Sequence, residues 1–329
     1  MKFLFFTDTH IRGTSPRNRK DNYIETLKLK FMEIKDISDR ENVDYILNGG
    51  DWFDRPDIAP SIVRDFAKII KSFNKKIYTV AGNHDLFGHN PDTFERTMLG
   101  ILEGIDLLHL LRNENNVILE KDNIKVQLNG SSYKYDIDSE NFEKYYMIKK
   151  LNNVDYTLNI VHGMLLKKPF FEGIQYTLLD DILNTEADIT FTGHYHNGFG
   201  IEFLNNKYFI NPGSIVRITN TINEIKRKPK VIILELNHTI NVREIELKTA
   251  LDGNDVLERT LIEDNETKNK KLNDFYKTVL NTGIYKKINI NEILDNIAYN
   301  KNIDKKVKSE IIKRIGLANE EINQGDEDN

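Results

Sequence analysis

The chain of 329 residues contains no cysteine, which excludes disulfides and thiolate zinc sites and fits a reducing compartment. No apolar run approaches the roughly 20 residues needed to span a bilayer, so no membrane segment is expected. The opening residues, KFLFFTD, lack a long apolar stretch and a small-residue cleavage site. A secretory leader is therefore not expected, and the cytoplasm is the default location. Basic charge is not in excess either: the net charge is −5, which gives no global signature of a nucleic-acid binder. An ion site brings its own positive charge, however, and basic loops act locally. What is present, 39% apolar and 29% charged residues, belongs to a globular protein large enough for one big domain and a smaller one.

The first half alternates strand and helix patterns. Residues 2–6 are an apolar run ending at Thr7 and Asp8, and Ile24, Leu27, Phe31 and Ile34 then recur at helical spacing. Val43 to Asn48 reads as a strand stopped by Gly49-Gly50. Pro56 and Pro60 precede a second helix facing inward through Ile62, Phe66, Ile69, Ile70 and Phe73, and Lys76 to Ala81 is another strand stopped by glycine. Such alternation predicts a layered α/β core with parallel strand pairs. Further strands are expected at Val154 to Val161, Asp188 to Thr192 and Lys207 to Ile210. Val231 to Leu236 and Val242 to Leu247 should form a hairpin. After about residue 250 the pattern turns helical, with three amphipathic segments around Leu272–Leu280, Ile290–Ile297 and Val307–Ile315. Two domains are thus expected, residues 1–250 and a helical accessory segment over 251–329.

Five of the eight histidines sit in short polar motifs at predicted strand ends: TDTH (Thr7 to His10), GGD (Gly49 to Asp51), GNHD (Gly82 to Asp85), VHG (Val161 to Gly163) and GHYH (Gly193 to His196). Carboxylate, imidazole and amide oxygen are together the ligand set of a site for two hydrolytic metal ions. Such a pair activates water, clamps a phosphoryl group and stabilises a leaving oxygen. Asp8 and His10, two apart in an extended segment, should share a face, and His194 and His196 repeat the spacing. Glycines before Asp51 and Asn83 allow close backbone approach.

These motifs, in this order, resemble the calcineurin-like metallophosphoesterase superfamily. GDWFDRP and the NPGS of Asn211 to Ser214 resemble its DNA-repair branch: the bacterial SbcD nuclease subunit, phage counterparts, and the eukaryotic and archaeal double-strand-break repair nuclease. The resemblance covers residues 7 to about 217. It implies a four-layer α/β/β/α sandwich in which Asp8, His10 and His196 bind one ion, Asn83, His162 and His194 bind the other, and Asp51 bridges them. His84 would face the scissile phosphate, and Asp85 would orient the His84 imidazole. Manganese is the implied metal, with magnesium the substitute, which suits nitrogen and oxygen ligands without sulfur. Where some members carry a second catalytic histidine three positions after the bridging aspartate, this chain has Asp54.

Further readings concern contacts and partners. Arg12, Arg17 and Arg19 after the first motif are candidates for contacting a phosphate backbone, as are Arg55, Lys167 and Arg217 near the other motifs. His89 is a candidate to line the site, whereas His109 should be packed in its apolar run and His238 should face solvent in the hairpin turn. Tyr133 and Tyr135 either stack on bases or pack in a strand. The resemblance implies DNA as substrate, an SbcC-like coiled-coil ATPase as partner of the tail, whose apolar faces could equally pack back on their own domain, and a homodimer formed through the helix at Ser61 to Phe73. Two rival expectations stand beside a nuclease: a small-molecule phosphodiesterase or phosphatase, and a DNA-binding subunit without cleavage.

Overall fold

The computed structural model describes residues 1–113, 115–170 and 174–258. Met1–Glu258 forms one compact unit. The expected tail helices lie outside the described residues. In chain order the elements are strand β1 (Lys2–Phe6), helix α1 (Tyr23–Arg40), β2 (Tyr45–Asn48), α2 (Pro60–Ser72), β3 (Lys76–Thr79), α3 (Met98–Gly104) and β4 (His109–Leu110). Then come β5 (Val117–Lys121), β6 (Ile124–Ser131), α4 (Glu143–Tyr146), β7 (Tyr156–Val161), β8 (Leu165–Leu166), β9 (Thr177–Leu178) and β10 (Ile189–Thr192). The unit ends with β11 (Gly200–Leu204), β12 (Lys207–Asn211), α5 (Ile222–Lys226), β13 (Lys230–Leu236), β14 (Ile240–Glu246) and α6 (Gly253–Val256).

Two six-stranded sheets result, ordered β14-β13-β1-β2-β3-β4 and β11-β12-β10-β7-β6-β5. Their centres are parallel, β1 with β2 and β3 in one and β6, β7, β10 and β12 in the other. Antiparallel hairpins close three of the four edges, and β4 pairs parallel with β3 at the fourth. Strand β1 shows why the run Phe3 to Phe6 is apolar throughout. Phe3 and Phe5 point between the sheets, among Leu128, Ile160 and Phe191, while Leu4 and Phe6 point to the helices, among Phe31 and Phe66. A strand buried on both faces has no place for a polar residue. On the outer face of the second sheet, Tyr145, Tyr146, Leu179 and Ile182 cover Val161 and Phe209. The result is a sandwich of helices, sheet, sheet, and short helices with turns, the expected α/β/β/α architecture.

The helix patterns hold well. On α1 Leu27, Phe31 and Ile34 are buried and Ile24 half-buried, and Asn22 caps the start by accepting from the Glu25 amide. On α2 Phe66 and Ile70 are buried, Ile62 and Ile69 pack at the rim, and Pro60 stands in the first turn where its missing N–H costs nothing. The hairpin of β5 and β6 has no counterpart among the expected strands. Its signal is Asp122-Asn123, both at positive φ (52° and 61°), between two alternating apolar stretches. No helix among the described residues is long and apolar enough to cross a membrane.

Candidate metal centre

The parallel strands β1, β2 and β3 of one sheet and β7 and β10 of the other each end at, or within two residues of, one of the polar motifs. The two leading loops zip together: the amides of Asp8, Thr9 and His10 donate to the carbonyls of Gly50 and Asp51 at 2.9–3.1 Å. This requires tight backbone. Asp8, His10, Asp51 and His194 all lie in the left-handed region, at φ of 53°, 41°, 52° and 72°. Left-handed backbone at non-glycine residues is uncommon and concentrates at functional sites. The extended segments expected for Asp8 to His10 and His194 to His196 are therefore replaced by turns, which bring the side chains together by a different route. Glycine is needed where these loops touch. A Cβ on Gly82 would stand 2.0 Å from Oδ1 of Asp51, and one on Gly50 would meet Nδ1 of His162 at 2.5 Å.

All seven expected ligands converge. Asp8, His10, Asp51 and His196 form one group, and Asp51, His162 and His194 a second. Oδ1 of Asn83 joins the second, 3.1 Å from Nε2 of His162 and 2.9 Å from Nδ1 of His194. Asp51 belongs to both groups. Its Oδ1 accepts from the His84 amide at 3.0 Å, which leaves Oδ2 buried and without a hydrogen-bond partner. That oxygen is 3.6 Å from Nε2 of His10 and 3.4 Å from Nε2 of His162.

Surrounding groups fix which atoms face inward. Nδ1 of His162 donates to the Gly49 carbonyl at 2.7 Å, so Nε2 is the nitrogen turned to the site. Asp8 is held by the Thr7 hydroxyl at 2.7 Å and the His194 amide at 3.1 Å. Burial works against a charge on Asp51, but the imidazoles of His162 and His84 prevail and hold its carboxyl well below the usual range. His162 is pushed the other way, up to about 9, because the Asp51 and Asp8 charges outweigh its burial. Burial and the neighbouring His162 press His194 down to about 3. An orphaned buried carboxylate oxygen shared by two sets of inward-facing nitrogens fits a pair of divalent cations, and the all-N,O donor set fits manganese or magnesium.

His84 stands at the edge of this cluster, half-buried, its ring 4.8 Å from that of His10. Nδ1 pairs with the Asp54 carbonyl at 3.0 Å, which leaves Nε2 for a substrate oxygen. Asp54, in the place of the second histidine, lies 3.6 Å from Nδ1 of His10 and 3.2 Å from the Arg12 guanidinium.

Asp85 does not orient His84. Its carboxylate instead accepts from the buried amides of Trp52, Phe53 and Gly82 at 3.3, 2.9 and 2.9 Å, tying the Asp51 loop to the Asn83 loop. Trp52 and Phe53 are themselves fully buried, Trp52 edge-on to Phe6, so the GDWFD stretch anchors the bridging aspartate.

The arginines divide. Arg17, Arg55 and Lys167 are exposed, Arg55 beside Asp57 and Lys167 paired with Glu202 at 2.6 Å. Arg12 is half-buried. Arg19 and Arg217 are misplaced by the phosphate-contact reading. Arg217 is 2% exposed and donates to the carbonyls of Leu251 and Arg227, while Arg19 pairs with Asp21 and donates to the Arg217 carbonyl. Tyr133 lies past the end of β6 rather than within a strand, its ring 5.9 Å from His194 and 5.9 Å from His89. His89, whose ring is 6.4 Å from that of His84, also borders the site. His109 is half-buried beside Tyr78, and His238 is exposed in the hairpin turn.

Comparison with known proteins agrees with this geometry. A profile of the calcineurin-like phosphoesterase family matches residues 1–206, which contain every ligand named above, and the chain belongs to that family. It is accordingly a metal-dependent phosphoester hydrolase by family. No curated protein matches the sequence. Among solved structures, the calcineurin-like phosphoesterase YfkN of Bacillus subtilis aligns at 16% identity and a TM-score of 0.46, over 79% of this chain and 92% of that one. The sulfate thiohydrolase SoxB of Thermus thermophilus aligns at 12% and 0.45, over 77% and 58%. A second protein of Thermus thermophilus, TT1561, aligns at 9% and 0.45, over 74% and 98%.

Proposed function

We propose that this protein is a DNA nuclease of the SbcD type that hydrolyses phosphodiester bonds with two divalent ions, manganese being the expected metal. The observation that carries the reading is the double ligand cluster sharing Oδ2 of Asp51, with half-buried His84 at its edge. The GDWFD and NPGS stretches, both built into that cluster, favour the DNA-repair branch over other phosphoesterases.

Asp8, His10 and His196 would hold the first ion, Asn83, His162 and His194 the second, with Asp51 between. When bound, the ions supply positive charge to the phosphoryl oxygens and make water a usable nucleophile at neutral pH. The chain's own groups do the rest. His84 meets charge developing on the phosphate or leaving oxygen through Nε2, its other nitrogen held by the Asp54 carbonyl. Burial holds the His84 imidazole below its ordinary value, so Nε2 has to take up a proton from solvent before it can donate to that oxygen. Exposed Arg17, Arg55 and Lys167, with Arg12 at the rim, are the cations available to a DNA backbone. An SbcC-like ATPase docking on residues 251–329, a homodimer through α2 and cytoplasmic action complete the proposal.

The test is incubation with labelled single- and double-stranded DNA in manganese, magnesium or chelator, with and without a candidate ATPase. Metal-dependent cleavage supports the reading. Turnover of nucleotides or phosphate monoesters that intact DNA does not outcompete would replace it with a small-molecule phosphoesterase. Tight DNA binding without turnover would make the chain a binding subunit.

A further inference from the structure

Five consecutive carbonyls, Ser214 to Ile218, each accept a hydrogen bond from a side chain. Lys30 donates to Ile215 at 2.8 Å, Arg19 to Arg217 at 3.0 Å and Asn18 to Ile218 at 2.7 Å, and Arg227 donates to both Ser214 and Val216. Lys30 is the unexpected member. It sits on the buried face of α1 between Leu27 and Ile34, only 3% exposed, where helical periodicity calls for an apolar residue. An ammonium taken out of water at this position is costly unless a structural need fixes it there. Burial, with the guanidinium groups of Arg19, Arg217 and Arg227 nearby, pushes its ammonium well below the usual lysine range.

The clamped turn touches the metal centre on its other side. Ser214 donates its hydroxyl to the Asp8 carbonyl at 2.7 Å, and its amide donates to the His196 carbonyl at 3.0 Å. The Ile215 amide donates to the carbonyl of Thr7 at 3.3 Å. Ser214 therefore staples the backbone of two ligands that come from different sheets, and both belong to the group of the first ion. The hydrogen bonds of Asn83, His162 and His194 run instead to one another and to Asp8, Gly49, Leu86 and Ser131.

We propose that Lys30 and Arg227 are positioning residues for the first ion, acting through the 214–218 turn on Asp8 and His196. The inference rests on the two-ion reading above. Partners that touch the ligands directly, here Ser214, typically carry about 10- to 100-fold in metal affinity, and Lys30 and Arg227 hold the turn that places Ser214. Losing the clamp should therefore weaken one ion and spare the other.

The experiment is manganese titration by calorimetry, with low-temperature electron paramagnetic resonance at two equivalents and thermal unfolding of the metal-free protein. It compares the wild type with Lys30→Met, Arg227→Lys, Leu119→Ala and His10→Ala. Lys30→Met should weaken one binding step by about tenfold or more, the same step that His10→Ala removes. Its spectrum should shift from a coupled pair of ions toward an isolated ion. Arg227→Lys, which keeps the charge but reaches fewer carbonyls, should fall between and serves if Lys30→Met does not fold. Leu119→Ala, a core change on β5, should lower the melting temperature without altering either step. The proposal is overturned if the clamp variants lower the melting temperature alone, or weaken both steps equally. Two ions bound by the wild type but untouched by the variants would sink the clamp and leave the two-ion reading intact. A wild type that binds fewer than two ions would remove both.

Discussion

Nε2 of His10 and Nε2 of His196 lie 3.0 Å apart although 186 residues separate them. One follows β1 in the first sheet, the other follows β10 in the second, so the site exists only when the two sheets are stacked. Two imidazole nitrogens this close, with Oδ2 of Asp51 at 3.6 Å from the first, form a cradle that a divalent ion relieves. Ion binding and sheet packing are coupled for that reason.

Asp51→Asn replaces the shared anionic oxygen with a weaker ligand at both positions. Manganese stoichiometry by calorimetry should fall below two, and phosphodiester hydrolysis should drop on the order of 10³-fold. Full stoichiometry in the variant would take the bridging role away from Asp51.

His84→Ala should leave both ions in place while kcat falls by about 10²- to 10³-fold with little change in KM. The comparison of metal titration with steady-state kinetics separates this outcome from a ligand variant. An equal loss of metal affinity would place His84 among the ligands.

Asp85→Ala strands three buried amides, those of Trp52, Phe53 and Gly82. The expected loss is about 3 kcal/mol or more of folding stability, read as a lower melting temperature of the metal-free protein. Unchanged stability with lost activity would restore a catalytic role to this carboxylate.

The metal-free site carries a proton that ions must displace. His162 is held up at about 9 by the Asp51 and Asp8 charges acting against its burial. Below that value the imidazole is protonated and unable to ligate, so manganese affinity should rise about tenfold per pH unit from pH 7 and level off near pH 9. A binding constant independent of pH over this range would show that His162 enters the complex without losing a proton.

The seven candidate ligands were legible in the sequence because each lies just past the end of an apolar strand, with a glycine directly before Asp51, Asn83 and His194. The α1 and α2 faces were legible from periodicity alone. Asp85 was not, because a carboxylate beside a catalytic histidine looks the same whether it grips the imidazole or the amides of a neighbouring loop. Arg19 and Arg217 misled for a similar reason. An arginine near a metal motif reads as a phosphate contact until burial shows its guanidinium committed to backbone carbonyls. Periodicity places Lys30 on the buried face of α1 beside Leu27 and Ile34, but nothing in the sequence shows that its ammonium meets the Ile215 carbonyl.

The most direct measurement is anomalous diffraction from crystals soaked in manganese. Two peaks flanking Oδ2 of Asp51 are predicted, one among Asp8, His10 and His196 and the other among Asn83, His162 and His194. A single peak, or none between these side chains, would contradict the account.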